Sequence, residues 1–450
     1  MRVLVLSDRV SADGWQSGAV VAALCAELVA AGHQVTLVCE AAEDGVALAA
    51  AGIDVAELSI FCYRTRMGSR ALQRGLYAQL SSRAAEHDVV LSCSWLVAPS
   101  GGVWLPLGSA ALLLLTQARV LKRVARGASG LPRMVCTDAV YADAKALPGL
   151  VVRAMAERRA IAGVLAAGTA TGSVTTLLVS SRSAQREAEQ LFAEGGQLDG
   201  QLIVRSRVVP PLSLLAKGAA TRVAEQRAQV RALFDVAPAE PVGLVPMLAR
   251  TDAVTMAMLR GLLLAAADRD DVARPTVLTL LIVSPDPFAV QTAWAQVCAE
   301  RGGGAVGLGV AARVVVAAPT ASFAAMLAAC DFVVSLRGAA EDGLWSGSCQ
   351  RLVADAMRAS RPQLVRAGSA GAELIGPVAE RAAGIVVDDE APADEVLAWR
   401  DGFVQVSDPS RRVACGVAAR ATCDLMGLAR SATLEAVERC LAEHAATAAG

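Results

Sequence analysis

Aromatic residues make up only 4% of the 450-residue chain. The cores must therefore be built from Ala, Val and Leu, which disfavours an aromatic-rich β-sandwich. Neither sign of charge is in excess. The formal net charge is −1, without the basic excess of a nucleic-acid binder. Three histidines offer no clustered ligand set, so a zinc site is not expected. The eleven cysteines are scattered, odd in number and without a C-x-x-C pair, which argues against a disulfide framework and for free thiols in a reducing cytoplasm. No apolar run reaches the roughly 18 residues that span a bilayer. The longest, Val103 to Leu115, contains Pro106 and is followed by Lys122, Arg123 and Arg126. The opening MRVLVLSDRV is read as a first strand, since its apolar run is short for a signal peptide and meets Asp8 and Arg9.

What remains is 54% hydrophobic and 19% charged, enough to bury the two or three cores expected at this length. Val3 to Leu6 is a continuous apolar run, as in a strand buried on both faces. Val20, Leu24 and Leu28 follow at helical spacing, Gly32-His33 ends the helix, and Val35 to Val38 predicts a second strand. The alternation continues through Val55 to Leu58, Asp88 to Ser92, Met134 to Cys136 and Thr176 to Ser180. Near residue 208 the segment VVPPLSLL interrupts it, because two prolines cannot continue a central strand. A polar helix over Thr221 to Phe234 then leads to a second series. Its strands are predicted at Val242 to Val245, Thr276 to Val283, Arg313 to Val316, Phe332 to Ser335 and Gln363 to Val365. The pattern predicts an α/β protein of two Rossmann-like domains, 1–212 and 213–424, with a last helical stretch (425–450) closing the second domain or packing back on the first.

Ligands of such sheets bind outside the carboxyl ends of the strands. The first candidate is the loop after strand one, with Asp13, Gly14, Trp15 and Gly18, where glycines let a ligand approach the backbone and the helix N-terminus. A glycine-containing turn without a ligand is the plainer alternative. The second is Leu344 to Ile375. Here Gly347 and Ser348 open a helix carrying Asp355, and Gly371, Ala372 and Glu373 lie in a glycine loop. Backbone N–H groups would take a phosphate or sugar hydroxyls, and Asp355 a ribose, if it lies on the right face. A solvated Asp is the bland reading.

Several segments resemble the retaining GT-B glycosyltransferases of family 4. SADGWQSGAVVAALCAELVAAGHQVTLV is similar to their first βαβ unit. TLLVSSRSAQREAEQLF followed by VVPP resembles their approach to the interdomain joint. WSGSCQRLVADAMRASRPQLV resembles the signature of the branch related to lipopolysaccharide-core glucosyltransferases. The resemblance implies a GT-B fold, two domains facing across a cleft. It implies hexose transfer with retention from a nucleoside-diphosphate sugar, UDP-linked by expectation, to a glycan or glycolipid, without another cofactor. Three positions depart from the pattern. The two family acidic residues fall on Gly347 and Asp355, so the first carboxylate is absent. Arg250 supplies one of two expected phosphate cations, with no lysine after it. Leu107 occupies the place of a histidine. A catalytically impaired scaffold that binds a sugar nucleotide or a protein is therefore the alternative reading. Residues 110–126 carry Arg119, Arg123 and Arg126 on one helical face, which would suit peripheral contact with the inner face of a membrane or simply a solvated face.

Overall fold

The computed structural model describes residues 1–10, 17–42, 45–57, 80, 82–93, 102–105, 174–179, 181–182, 185–186, 189, 197–198, 201–202, 204–209, 211–212, 219–247, 253–267, 277–284, 286–300, 312–317, 323–336, 347–367, 369–376, 383–387, 395–426 and 430–449. The predicted strand Met134 to Cys136, Leu107 and the basic stretch 110–126 lie outside them.

The first sheet contains β1 (Arg2–Val10), β2 (Gln34–Ala42), β3 (Asp54–Glu57), β4 (Val89–Ser92), β5 (Val103–Trp104), β6 (Thr175–Val179) and β9 (Val204–Val208), in the order β3-β2-β1-β4-β5-β6-β9. All its ladders are parallel. A small antiparallel pair, β7 (Gln197–Leu198) and β8 (Gln201–Leu202), stands apart. The second sheet orders its strands β12-β11-β10-β13-β14-β15: β10 (Val242–Pro246), β11 (Leu278–Val283), β12 (Ala312–Ala317), β13 (Phe332–Ser335), β14 (Gln363–Arg366) and β15 (Gly384–Val387). It too is wholly parallel. The second order reads 3-2-1-4-5-6 from one edge and the first continues it by one strand, 3-2-1-4-5-6-7, the doubly wound arrangement with switch points at β1/β4 and β10/β13. The short strand β5 comes from the apolar stretch that opened at Val103; β15 was not legible as a strand.

Helices cover the sheets because parallel strands are apolar on both faces. In the first domain Val3, Val5, Leu37 and Leu91 pack with α1 (Ser17–Ala30), while Leu4, Leu6 and Val38 meet Leu80 on the opposite face. Helix α1 and the short α2 (Gly45–Ala50) both end in the same way. In α1 the His33 N–H donates to Leu28 O at 3.0 Å and the Gly32 N–H to Val29 O at 2.9 Å. Gly32 has φ 88°, the left-handed conformation this C-cap requires and glycine adopts without strain.

The second domain has α3 (Ala219–Leu233), α6 (Phe323–Ala329) and α7 (Gly347–Arg358) on one face. On the other are α4 (Ala253–Ala267), α5 (Pro287–Glu300) and α9 (Glu395–Ser407). Few aromatics are present, but three meet here: Phe403 lies 6.4 Å from Phe332 and 6.5 Å from Trp399, centroid to centroid. Gly243, paired with Phe332, makes room for that ring; a Cβ there would fall 2.6 Å from it.

Asp331, between α6 and β13, ties this domain together. Its Oδ2 accepts from Arg231 Nη2 at 2.7 Å and from the Val242 N–H at 2.9 Å, and its own N–H donates to Val242 O at 2.7 Å. Arg227 pairs with Oδ1. Arg231 is 3% exposed and uses its remaining N–H groups on the carbonyls of Ala329, Ala237, Pro238 and Glu240. All five guanidinium donors are thus met.

The end of the chain is divided. Helix α10 (Pro409–Leu425) packs on α7, whereas α11 (Arg430–Ala449) lies on the first domain. Val437, Cys440 and Leu441 of α11 are buried in the first core. Around them His33 Nε2 meets Glu438 Oε1 at 2.9 Å, and Thr176 Oγ1 meets His444 Nε2 at 2.8 Å. Among the described residues no helix is long and apolar enough to cross a membrane.

Two stability predictions follow from this packing. Asp331→Ala leaves Arg231 buried without its counter-ion, which costs about 3–5 kcal/mol in a urea unfolding curve. Alkaline pH should also destabilise the chain. Burial pushes the Cys330 thiol up to about 12, raises Cys25, and pushes Cys423 up to about 11. Above about pH 8.5 these thiols ionise in the unfolded chain and stay protonated in the folded one. Their contribution is therefore full below that pH and is lost as pH rises. The urea midpoint should fall between pH 8 and pH 10.5, and Cys→Ala at position 330 should reduce the slope.

Candidate functional site

The carboxyl ends of the strands place the candidate residues. Residues 11–16, with Asp13, Gly14 and Trp15, lie outside the described structure, as does Arg250 after β10. Gly18 is buried in the first turn of α1, just beyond the carboxyl end of β1. Gly347 and Ser348 begin α7, the helix after β13. These positions thus flank the two switch points, β1/β4 and β10/β13, where doubly wound sheets take their ligands.

Asp355 differs from the expectation of an open ribose ligand. Its side chain is fully buried, and Oδ2 lies 3.7 Å from Nε of Arg351, itself 1% exposed. The guanidinium carbon of Arg351 sits 5.7 Å from the centre of the Phe323 ring. The pair is held one helical turn apart, between a face of α7 that meets α6 and one that meets α8 (Ala370–Ile375) and α10. The reason is geometric: the i, i+4 spacing sets the carboxylate beside the cation. The sequence signal for this is the partner cation one turn earlier, Arg351.

The predicted glycine loop is partly helical. Ser369 caps α8, its Oγ accepting from the Ala372 N–H at 3.0 Å. Gly371 lies inside that helix, and a Cβ there would stand 3.2 Å from Val365 Cγ1 and 3.6 Å from Val353 Cγ2. Its lack of a side chain thus lets α8 close onto β14 and α7. Ala372 packs against the same cluster. Glu373 reaches across to the first domain. Its Oε2 accepts from the Arg182 N–H at 2.9 Å, just beyond β6, and its Oε1 lies 4.0 Å from Arg186 Nη2. Arg182 and Arg186 were not among the candidates. They belong to TLLVSSRSAQREAEQLF, but no local pattern names the residue that meets them.

Two parallel, doubly wound sheets of seven and six strands, in contact at their carboxyl edges, have the architecture of the GT-B fold. No protein-family model and no curated protein sequence matches the chain. Solved structures do. WaaG, a glycosyltransferase involved in lipopolysaccharide biosynthesis, is similar with a TM-score of 0.60 at 14% identity, covering 97% of this chain and 99% of that one. Sucrose-phosphate synthase from Thermosynechococcus elongatus gives 0.62 at 14% identity over 100% of both chains. Anabaena Alr3699/HepE, in complex with UDP, gives 0.53 at 13% identity over 98% and 100%. The likeness extends over both domains, so the architecture as a whole is that of these proteins.

The cap of α8 can be checked directly. Ser369→Ala removes the acceptor of the Ala372 N–H and should cost about 1 kcal/mol, read as a lower urea midpoint with unchanged slope.

Proposed function

We propose that the chain is a glycosyltransferase that takes a nucleoside-diphosphate sugar, UDP-linked by preference, in the cleft between its two domains. A hexose is then moved with retention to a glycan or glycolipid. The observation that carries this reading is the meeting of two Rossmann-like carboxyl edges, in a fold shared with a glycosyltransferase and with a protein bound to UDP. Both switch points then open toward one shared volume, which suits a donor on one side and an acceptor on the other. Arg250 and the N-terminus of α7, at Gly347 and Ser348, would face the diphosphate, where aligned N–H groups favour negative charge. The loop Asp13 to Gly18 would face the acceptor. An acceptor of glycolipid type accords with the basic residues of 110–126 at the inner face of a membrane, with the body of the protein in the cytoplasm.

One observation favours a second reading, a scaffold that binds the donor without turnover. Position 347 has no carboxylate, and the Asp355 carboxylate is buried against Arg351. Each missing preorganised group would remove about 2–4 kcal/mol of transition-state stabilisation, while a fold-level donor site would survive.

Thermal unfolding with UDP-, GDP- and ADP-glucose separates these readings. A donor present at a hundredfold excess over Kd stabilises by about 2.7 kcal/mol, a shift of several degrees. Absence of any shift at millimolar concentration would sink both. With a binding donor, release of free sugar and nucleotide then reports turnover. Gly347→Asp should raise that rate if the absent carboxylate limits an otherwise competent site. A rate of zero in both proteins favours the scaffold. Retention is read from the anomeric proton of the product by NMR.

A further inference from the structure

Glu373 stands at the carboxyl edge of the second sheet, yet its carboxylate is directed to the first domain. The acceptor of the Arg182 N–H is Oε2, at 2.9 Å. Arg182 opens a helical segment directly after β6, where the Gln185 N–H donates to Ser181 O at 3.0 Å. N–H groups in a first helical turn lack intrahelical acceptors and carry partial positive charge. The Glu373 carboxylate meets both needs from across the cleft. Arg186, with its side chain 73% exposed and 4.0 Å away, adds little. Of these two contacts the backbone N–H is the closer.

Both ends of this bridge rest on ordered structure. On one side the Glu373 N–H donates to Ser369 O at 3.1 Å, and Gly371 seats α8 on Val365 and Val353. On the other, Gln185 Nε2 donates to Ser206 Oγ of β9 at 3.2 Å.

We propose that Glu373 is a positioning residue: an interdomain strut that holds the two carboxyl edges together and sets the closure of the cleft, without itself touching the donor. Its consequence for catalysis rests on the donor-cleft reading above, but its test does not. The sequence pattern places Glu373 in a candidate ligand-binding loop; the strut gives its carboxylate a different task.

The experiment uses the full chain without nucleotide. Small-angle X-ray scattering reads the radius of gyration, and hydrogen exchange reads the amides of 181–187. Glu373→Ala removes the acceptor. Arg182→Pro removes the donor N–H together with the side chain, and proline is tolerated in a first helical turn. Arg182→Ala keeps the N–H and serves as the control. Glu373→Ala and Arg182→Pro should each enlarge the radius of gyration, with no further change in the double variant. Glu373→Ala should also speed exchange at Arg182. Arg182→Ala should scatter as the parent does, and Glu373→Gln, which keeps an acceptor oxygen, should return most of the compaction. Unchanged scattering and exchange in Glu373→Ala would overturn the proposal, and so would a silent Arg182→Pro. With nucleotide absent, failure of donor binding leaves these outcomes intact, and failure of the strut leaves the donor test intact.

Discussion

The second domain depends on one buried carboxylate. Asp331 precedes β13 and receives the N–H of Val242, the first residue of β10. These are the two strands that flank the switch point, so fixing their starting ends fixes the spacing at which their carboxyl ends diverge. Arg231 brings α3 into the same junction and saturates its donors on four carbonyls besides Asp331. A buried ion pair is often a net cost to stability, since desolvation competes with attraction. Here the full set of partners offsets that cost, and the pair gains geometric specificity that an apolar pair would lack. The helix that follows the interdomain joint is therefore anchored at its far end, next to the sheet it must cover.

The first domain is completed from a distance. Among the described residues, α1 covers part of an apolar face of its sheet, and α11 adds Val437, Cys440 and Leu441 to the same core. A chain whose last helix belongs to its first core cannot separate its domains freely. Glu373 and Arg182 meet at the carboxyl edges of the two domains. In this arrangement the residues best placed to act on a ligand are those at strand ends, while α11 and Asp331 hold the frame.

Much of the frame was legible from residues. Val3 to Leu6, Val35 to Val38 and Val242 to Val245 are continuous apolar runs because parallel strands are covered on both faces, and each became a strand. Gly32 marked a helix end for a local reason, its left-handed φ. Other elements were not legible. The glycine loop at Gly371 turned out to begin a helix, because a Ser three residues before a donor N–H caps as readily as it turns. Asp355 was legible as a carboxylate on a helix, but its rotation about the helix axis was not.

The sequence by itself determined the strands, their alternation with helices and the break near residue 208. These follow from periodicities within single segments, where apolar spacing alone selects the backbone conformation. Tertiary structure decided which residue faces which. Asp355 turned inward to Arg351, Glu373 met a backbone N–H 191 positions away, and α11 returned to the first sheet. The i, i+4 pairing of Asp355 with Arg351 is local, but its burial, like the other two contacts, depends on how packed elements are rotated and translated against one another, which no local spacing of residues encodes.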